Sequence, residues 1–298
     1  MGLRFGAMFR LRGRGLTVVM MRNAEQTAEQ PATKTLVIGG TGKTGRRVVE
    51  RLAAQGREVR VGSRKGDRLF VWEDAGSWGA ALEGVGSVYV TYFPDLAFPG
   101  AAEAVGEFSR FAVERGAGRL VLLSGRGEEG ARVSEERMKE SGADWTVVRG
   151  SWFNQNFSEG FFRDAVRAGE LALPTGEAAE AFVDADDIAD VVVAALTDAR
   201  HVGRTYELSG PRLLTFGEVA AELSKAAGRR IDYVPVTLDA YRAALAEHGV
   251  PVEFADLFSL ITDGRNAHLV NGVEEVLGRA PRDFSAYARD AAAAGAWA

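Results

Sequence analysis

The segment Leu36-Val37-Ile38-Gly39-Gly40-Thr41-Gly42-Lys43-Thr44-Gly45-Arg46 constrains this chain more than any other. A short apolar run stops at three glycines spaced GxxGxxG, Gly39, Gly42 and Gly45. An amphipathic stretch follows at once, with Val48, Val49, Leu52 and Ala53 on one helical face. Glycine weakens strand and helix interiors, so three in register need a reason. A strand that must turn sharply into a helix and let backbone approach an anion supplies one. The helix start then offers free N–H groups and the positive end of its dipole to a pyrophosphate. The Gly42-Lys43-Thr44 triplet resembles the end of a P-loop, but that motif needs a glycine where Val37 stands.

Behind this loop, apolar runs alternate with helical patterns. Strands are expected at residues 35–38, 58–61, 69–72, 87–92, 119–123 and 145–149, and helices at 46–55, 77–82, 101–115 and 133–141. Short β-α connections repeated in this way predict a parallel sheet covered on both faces, a Rossmann-type doubly wound α/β fold. With 298 residues the chain is near the upper limit for one core. We therefore expect residues 34–150 to form the dinucleotide-binding domain and residues 151–298 a smaller, mostly helical substrate lobe that shares some elements with the core. Helices are expected at 157–169, 186–199 and 215–227, the last opened by a capping box from Thr215 and Glu218. Residues 1–33, with five arginines and no acid before Glu25, read as a disordered extension.

Composition narrows the function. The chain has no cysteine, three scattered histidines and a net charge of -5. These argue against thiol chemistry, a metal site and general nucleic-acid binding. No apolar run is long enough to span a bilayer, and a cytoplasmic location is expected. NAD binders usually place an acid at the end of the second strand to hold the ribose 2′-hydroxyl. Here Gly62-Ser63-Arg64-Lys65 stands there instead. Arg64 can neutralise a 2′-phosphate and Ser63 can hydrogen-bond it, which favours NADP(H) over NAD(H).

Further motifs follow in order: Arg119-Leu120-Val121-Leu122-Leu123-Ser124, Ser141-Gly142-Ala143-Asp144-Trp145-Thr146-Val147-Val148-Arg149, Trp152-Phe153-Asn154-Gln155-Asn156-Phe157, Phe182-Val183-Asp184-Ala185-Asp186-Asp187-Ile188-Ala189 and Tyr206-Glu207-Leu208-Ser209-Gly210-Pro211. With the glycine loop, they make the chain resemble the NmrA-like atypical short-chain dehydrogenases, from residue 35 to residue 297. It is most similar to the branch of the ergot-alkaloid reductases, the agroclavine-dehydrogenase type. The resemblance implies NAD(P)(H) and a small-molecule substrate, but not an activity, since such proteins include both reductases and cofactor-sensing regulators. It places Gly39, Thr41, Gly42, Lys43, Thr44 and Gly45 at the pyrophosphate, Arg64 at the 2′-phosphate, and Tyr92, Phe93 and Pro94 at the ribose. Ser124 and Gly125 fall near the nicotinamide. Trp152, Phe153 and Asn156 wall the nicotinamide and substrate side.

Two departures stand out. The Tyr-xxx-Lys proton-donor pair of ordinary short-chain reductases is missing. Its positions hold Glu128 and Arg132, or Glu135 and Lys139 if Lys139 is taken as the lysine. Val71 stands where relatives commonly carry an aspartate facing the adenine, which implies either Asp74 as a substitute or a looser hold on the adenine. Ser124 and Arg132 are the candidate catalytic residues; Ser124 serves equally well as a turn cap. Arg126, Glu128, Glu129 and Arg132 read as a solvated loop, with Glu128 or Arg132 able to reach the pocket. Asp184, Asp186 and Asp187 read as helix caps rather than metal ligands, and His201 and His248 as surface residues. The expected function is NADPH-dependent reduction of a small apolar acceptor, a quinone, enone or iminium. The alternative is a non-catalytic NADP(H) sensor acting through a protein partner. A sugar-nucleotide epimerase ranks last, since it would need the missing pair.

Overall fold

Apolar side chains alternate along β1 (Lys34–Ile38), with Leu36 and Ile38 facing one way and Val37 the other, all almost fully buried. A strand buried on both faces belongs inside a parallel sheet. The computed structural model describes residues 34–298 except 66, 67 and 251, and the backbone alone at 253, 257 and 260. The expectation for residues 1–33 lies outside the described residues.

The first half alternates strand and helix: α1 (Lys43–Ala54), β2 (Val59–Ser63), β3 (Arg68–Leu69), α2 (Trp78–Leu82), β4 (Val85–Val90), α3 (Ala101–Glu114), β5 (Arg119–Gly125), α4 (Glu129–Lys139) and β6 (Asp144–Gly150). Next come α5 (Asn156–Glu159), α6 (Arg163–Ala168), β7 (Glu170–Leu173), β8 (Ala179–Glu180), α7 (Ala185–Thr197), β9 (Arg204–Leu208), β10 (Leu214–Thr215) and α8 (Phe216–Ala227). The last elements are β11 (Asp232–Pro235), α9 (Leu238–Glu247), α10 (Ser259–Thr262), α11 (Gly272–Leu277) and α12 (Phe284–Ala293). The seven-stranded central sheet has the order β3-β2-β1-β4-β5-β6-β9, with every pairing parallel. This is the doubly wound Rossmann arrangement with a seventh strand added.

Leu36, Ile38, Val88, Val90, Leu120 and Leu122 pack with Phe108 of α3 and Met138 of α4 on one face. Val37, Tyr89, Val121 and Val148 pack with Val48 and Leu52 of α1 and Ile188, Val191 and Val192 of α7 on the other. A third core, around Phe157, Phe182, Phe216 and Phe284, holds the C-terminal elements together. There β7 pairs with β11 and β8 with β10. Thus α7 and β9, both after residue 150, return to the main sheet. Among the described residues no helix is long and apolar enough to cross a membrane.

Several expected elements move. Helix α1 starts at Lys43, three residues early, because Gly45 fits inside its first turn. Helix α4 starts at Glu129 rather than 133, so the expected loop of charges is mostly helix. The third strand pairs only over Arg68–Leu69; Phe70 drops into the core and the backbone N–H of Val71 bonds to Ser77 Oγ at 3.1 Å. The helix expected at 157–169 breaks into α5 and α6 at Gly160, whose backbone is extended. The capping box of α8 forms as expected between Thr215 and Glu218. A Thr215→Ala variant should lose about 1 kcal/mol of stability in urea unfolding, the usual worth of such a cap. An unchanged midpoint would contradict this.

Candidate functional site

At the carboxyl end of β1 the chain turns through Gly39, which has φ +67°. Gly39 N–H donates to the carbonyl of Gly62 at 2.8 Å, tying the turn to β2. A Cβ on Gly45 would stand 2.7 Å from the carbonyl carbon of Gly39 and 2.8 Å from Cα of Gly40. The first turn of α1 is therefore in backbone contact with the turn before it, and only glycine permits this. Gly42 is the N-cap, in extended geometry, and no side chain bonds to the helix start. Thr41 and Gly42 are exposed. The first N–H groups of α1 thus have no side-chain partner and follow a turn whose glycines let backbone approach closely, as a bound diphosphate requires.

Lys43 occupies the first turn, the end where the helix dipole disfavours a cation. It is half-buried, and its Nζ donates to Asn156 Oδ1 at 2.7 Å. Burial pulls its ammonium below the usual value, an effect that the charge of Glu159 opposes. Gly160 lies against the same ammonium. The structure thus joins a residue expected at the pyrophosphate to one expected at the substrate wall. Thr44 is buried, its hydroxyl accepting from Tyr89 at 2.9 Å.

Ser63 and Arg64 lie at the end of β2. Ser63 Oγ accepts from the Lys65 N–H at 3.2 Å, and exposed Arg64 sets its guanidinium 5.4 Å from the centre of the Phe93 ring. Tyr92 packs on Trp72, 5.1 Å between ring centres, while Phe93 and Pro94 are exposed. Asp74 is exposed before α2. Its carboxylate accepts from the Gly76 N–H at 3.0 Å and caps the turn before α2.

Ser124 and Gly125 are the last residues of β5. The Ser124 hydroxyl is buried and donates to Glu135 Oε1 at 2.7 Å. Fully buried Glu135 also receives Arg149 Nε at 2.9 Å and Nη2 at 2.7 Å, and Arg149 reaches on to Glu207 at 3.0 Å. Hydrogen bonds to Glu135 raise the Arg149 guanidinium above its usual value. Arg132 is exposed on α4. Trp152 stacks near Phe162 and Phe258 and borders the third core, whereas Phe153 bridges to Val183 and packs against the face covered by α1 and α7. Phe157 and Phe162 are core residues, whereas Phe161 is 70% exposed.

Two sequence expectations need correcting, and a third needs extending. Arg126 is not solvated. It is 2% exposed and donates to Ser151 Oγ at 2.7 Å, with its other nitrogen 2.9 Å from the His268 ring. His201 is not a surface residue, being buried with Nδ1 2.9 Å from the Tyr206 hydroxyl. Asp184 does cap α7, accepting from the Asp186 N–H. However, Asp184, Asp186, Asp187 and Asp190 also pair with Arg47, Arg51, Arg279 and Arg282, a seam between α1, α7 and the C-terminal segment. The i, i+4 spacing of Arg47 with Arg51 and of Asp186 with Asp190 was the available signal.

The role of Glu128 is not decided by the sequence alone. Its carboxyl folds back over Gly125, where a Cβ would stand 2.6 Å from Oε2. Beside it is Asp95, whose carboxylate accepts from the Ala97 N–H at 2.8 Å. Burial, then the neighbouring Asp95, pushes the Glu128 carboxyl up to about 8, and burial also raises Asp95. A folded-state value above the ordinary 4.5 means that this group stabilises the fold fully below about pH 4.5 and that the contribution is lost as pH rises through 8. Glu128→Gln should therefore melt above the wild type at pH 8.5, with the advantage shrinking toward pH 5. An advantage growing toward acid would contradict this assignment.

Comparison with known proteins agrees with this geometry. The model of the NmrA-like family matches residues 132–288. An NAD(P)H azoreductase of Xenophilus azovorans is 33% identical over 287 residues, covering 87% of this chain and 98% of that protein. The agroclavine dehydrogenase of Claviceps fusiformis is 31% identical over 277 residues, covering 86% and 96%. Among solved structures, the Citrobacter triphenylmethane reductase complexed with NADP(H) superposes with a TM-score of 0.67 at 18% identity, covering 87% of this chain and 99% of that one.

Proposed function

Because the chain belongs to the NmrA-like family, we propose that it is an NADPH-dependent oxidoreductase that delivers hydride to a small apolar acceptor of the quinone, enone or iminium type. The observation that carries this reading is the glycine turn running into an uncapped helix start, with Lys43 half-buried beside it. The Cβ-free backbone at Gly39, Gly42 and Gly45 fits a diphosphate, and Lys43 is a point charge for it, with the Thr41 and Thr44 hydroxyls alongside. Arg64, exposed with Ser63 at the end of β2, would take a 2′-phosphate. Tyr92, Phe93 and Pro94 would border the ribose. Ser124, Gly125 and Phe153 would flank the nicotinamide, with Trp152, Phe153 and Asn156 toward the substrate.

The bound nucleotide supplies the hydride. The protein holds the acceptor against it and keeps water out, and the aromatics around Trp152 suit an apolar, conjugated molecule. The azoreductase relative is named for NAD(P)H, which supports the cofactor class. The absence of a Tyr-xxx-Lys pair favours acceptors that do not depend on it.

Titration by nicotinamide fluorescence tests the reading. NADPH should bind more tightly than NADH. Arg64→Ala should weaken NADPH by roughly 10–150-fold, the worth of about 1.5–3 kcal/mol for a hydrogen bond to a charged group, while changing NADH little. An acceptor panel then follows NADPH oxidation. Tight binding with no oxidation by any acceptor would favour the sensing alternative, and failure to bind either nucleotide would overturn the proposal.

A further inference from the structure

We propose that Glu128, held over Gly125 and paired with Asp95, is the proton donor to the reduced acceptor, in place of the missing tyrosine. This deepens the reductase reading and rests on it.

The location comes first. Gly125 ends β5, and ligands of open α/β sheets bind outside the carboxyl ends of the strands. Glu128, at the N-cap of α4, is the carboxyl group lying on that glycine, and it is only partly buried. A side chain at residue 125 would displace it, so the glycine makes room for the acid. The loop after β4 brings Asp95 to its other side.

The neighbouring groups are unsuited to the same task. The Ser124 proton is committed to Glu135. Arg132 is exposed, and a guanidinium does not give up its proton near neutrality. The other charges around Glu128 leave it unpaired. Arg126 is directed to Ser151, His268 and Glu207. Arg265 donates to the Gly127 carbonyl and pairs with Asp263, and Glu129 is exposed. Among the described residues no cation forms a salt bridge with Glu128 or Asp95. A carboxyl pair with no cation shares a proton, because the two cannot readily ionise together. Burial beside Asp95 keeps Glu128 protonated through neutrality.

The chemistry balances for neutral acceptors. In an azo compound, hydride adds to one nitrogen and the π electrons move to the other, which takes the Glu128 proton. In an enone, hydride adds to the β carbon and the electrons move to the carbonyl oxygen, which takes it. The nucleotide is oxidised, the acceptor reduced, and the Glu128 carboxylate recovers a proton from solvent. A triarylmethyl cation differs in that hydride alone completes its reduction.

The test compares a neutral aminoazobenzene with a cationic triarylmethane dye, NADPH being the donor. Glu128→Gln should lower the ratio of azo to cation turnover at least tenfold and remove the fall in azo kcat as pH rises through about 8. Glu128→Asp should restore part of both. Equal loss with both dyes would mean a structural role, and an unchanged ratio would likewise overturn the proposal. A second readout needs no turnover. The wild-type minus Glu128→Gln infrared difference spectrum should contain a protonated carboxyl band at pH 6.5 that disappears above pH 8 and shifts in Asp95→Asn. Absence of the band at pH 6.5 would overturn the proposal even if the protein reduces both dyes. Failure to reduce either dye or a quinone, enone or iminium acceptor, with the band present, would count against the reductase reading alone.

Discussion

Gly45→Ala is expected to reduce NADPH affinity at least 100-fold and to lower the melting temperature by roughly 2–12 °C. The added Cβ would press on the carbonyl group of Gly39 and come within 2.8 Å of Gly40 Cα. Both neighbours are backbone, so the turn itself must move. Overpacking of this kind costs about 1–3 kcal/mol, and each kcal/mol is worth roughly 2–4 °C in a protein near this size. The loss of affinity has a separate cause. The same displacement turns the N–H groups of α1 away from the position where they would meet a diphosphate. Gly42→Ala separates the two effects. Its Cβ would meet only the Gly39 carbonyl oxygen, at 3.2 Å, so the fold should tolerate it while the exposed new methyl crowds the nucleotide. Undiminished NADPH binding by Gly45→Ala would show that the loop is not the nucleotide cradle.

Glu135→Ala should destabilise the fold by about 3–5 kcal/mol, the usual cost of leaving one member of a buried ion pair alone. Glu135 is fully buried and accepts from Ser124 and twice from Arg149. Its removal leaves the Arg149 guanidinium, largely enclosed between β5, α4 and β9, with one carboxylate partner, Glu207, in place of two. The double variant Glu135→Ala with Arg149→Met should recover much of the loss, since an apolar replacement removes that charge. Urea unfolding of both single variants and the double would give the coupling. Additive losses would mean that the two residues act independently.

The glycine loop, the parallel strands and the capped helix α8 were all legible in the sequence. Each rests on a local rule: a turn that needs no Cβ, apolar runs buried on two faces, a Thr215–Glu218 box. Less legible were features that depend on distant partners. Arg126 looked solvated because its nearest neighbours in sequence are charged, yet Ser151, Glu207 and His268 enclose it from far along the chain. His201 has a nearer partner: the ring of Tyr206 on β9, five residues on, lies against it, and the fold buries both. Glycine propensity argues against a helix at Gly45 and so for a later start of α1, and tertiary contact overrides the propensity. For the site, the sequence supplied the members of the loop and the position of Arg64. The joining of Lys43 to Asn156 and the folding of Glu128 onto Gly125 needed coordinates.

The seventh strand bears on how the molecule can be divided. Strand β9 supplies the outer hydrogen-bonding partner of β6 over Thr146 to Gly150, although 53 residues separate the two strands. A chain cut after residue 150 would leave β6 as a bare, apolar edge, open to pairing with another copy of itself. It would also strip α7 from the face that covers Val37, Tyr89 and Val121. The nucleotide half is thus no detachable module. The route of the chain interlocks the two halves, so they should unfold together in one transition, and fragments ending near residue 150 should aggregate rather than bind nucleotide.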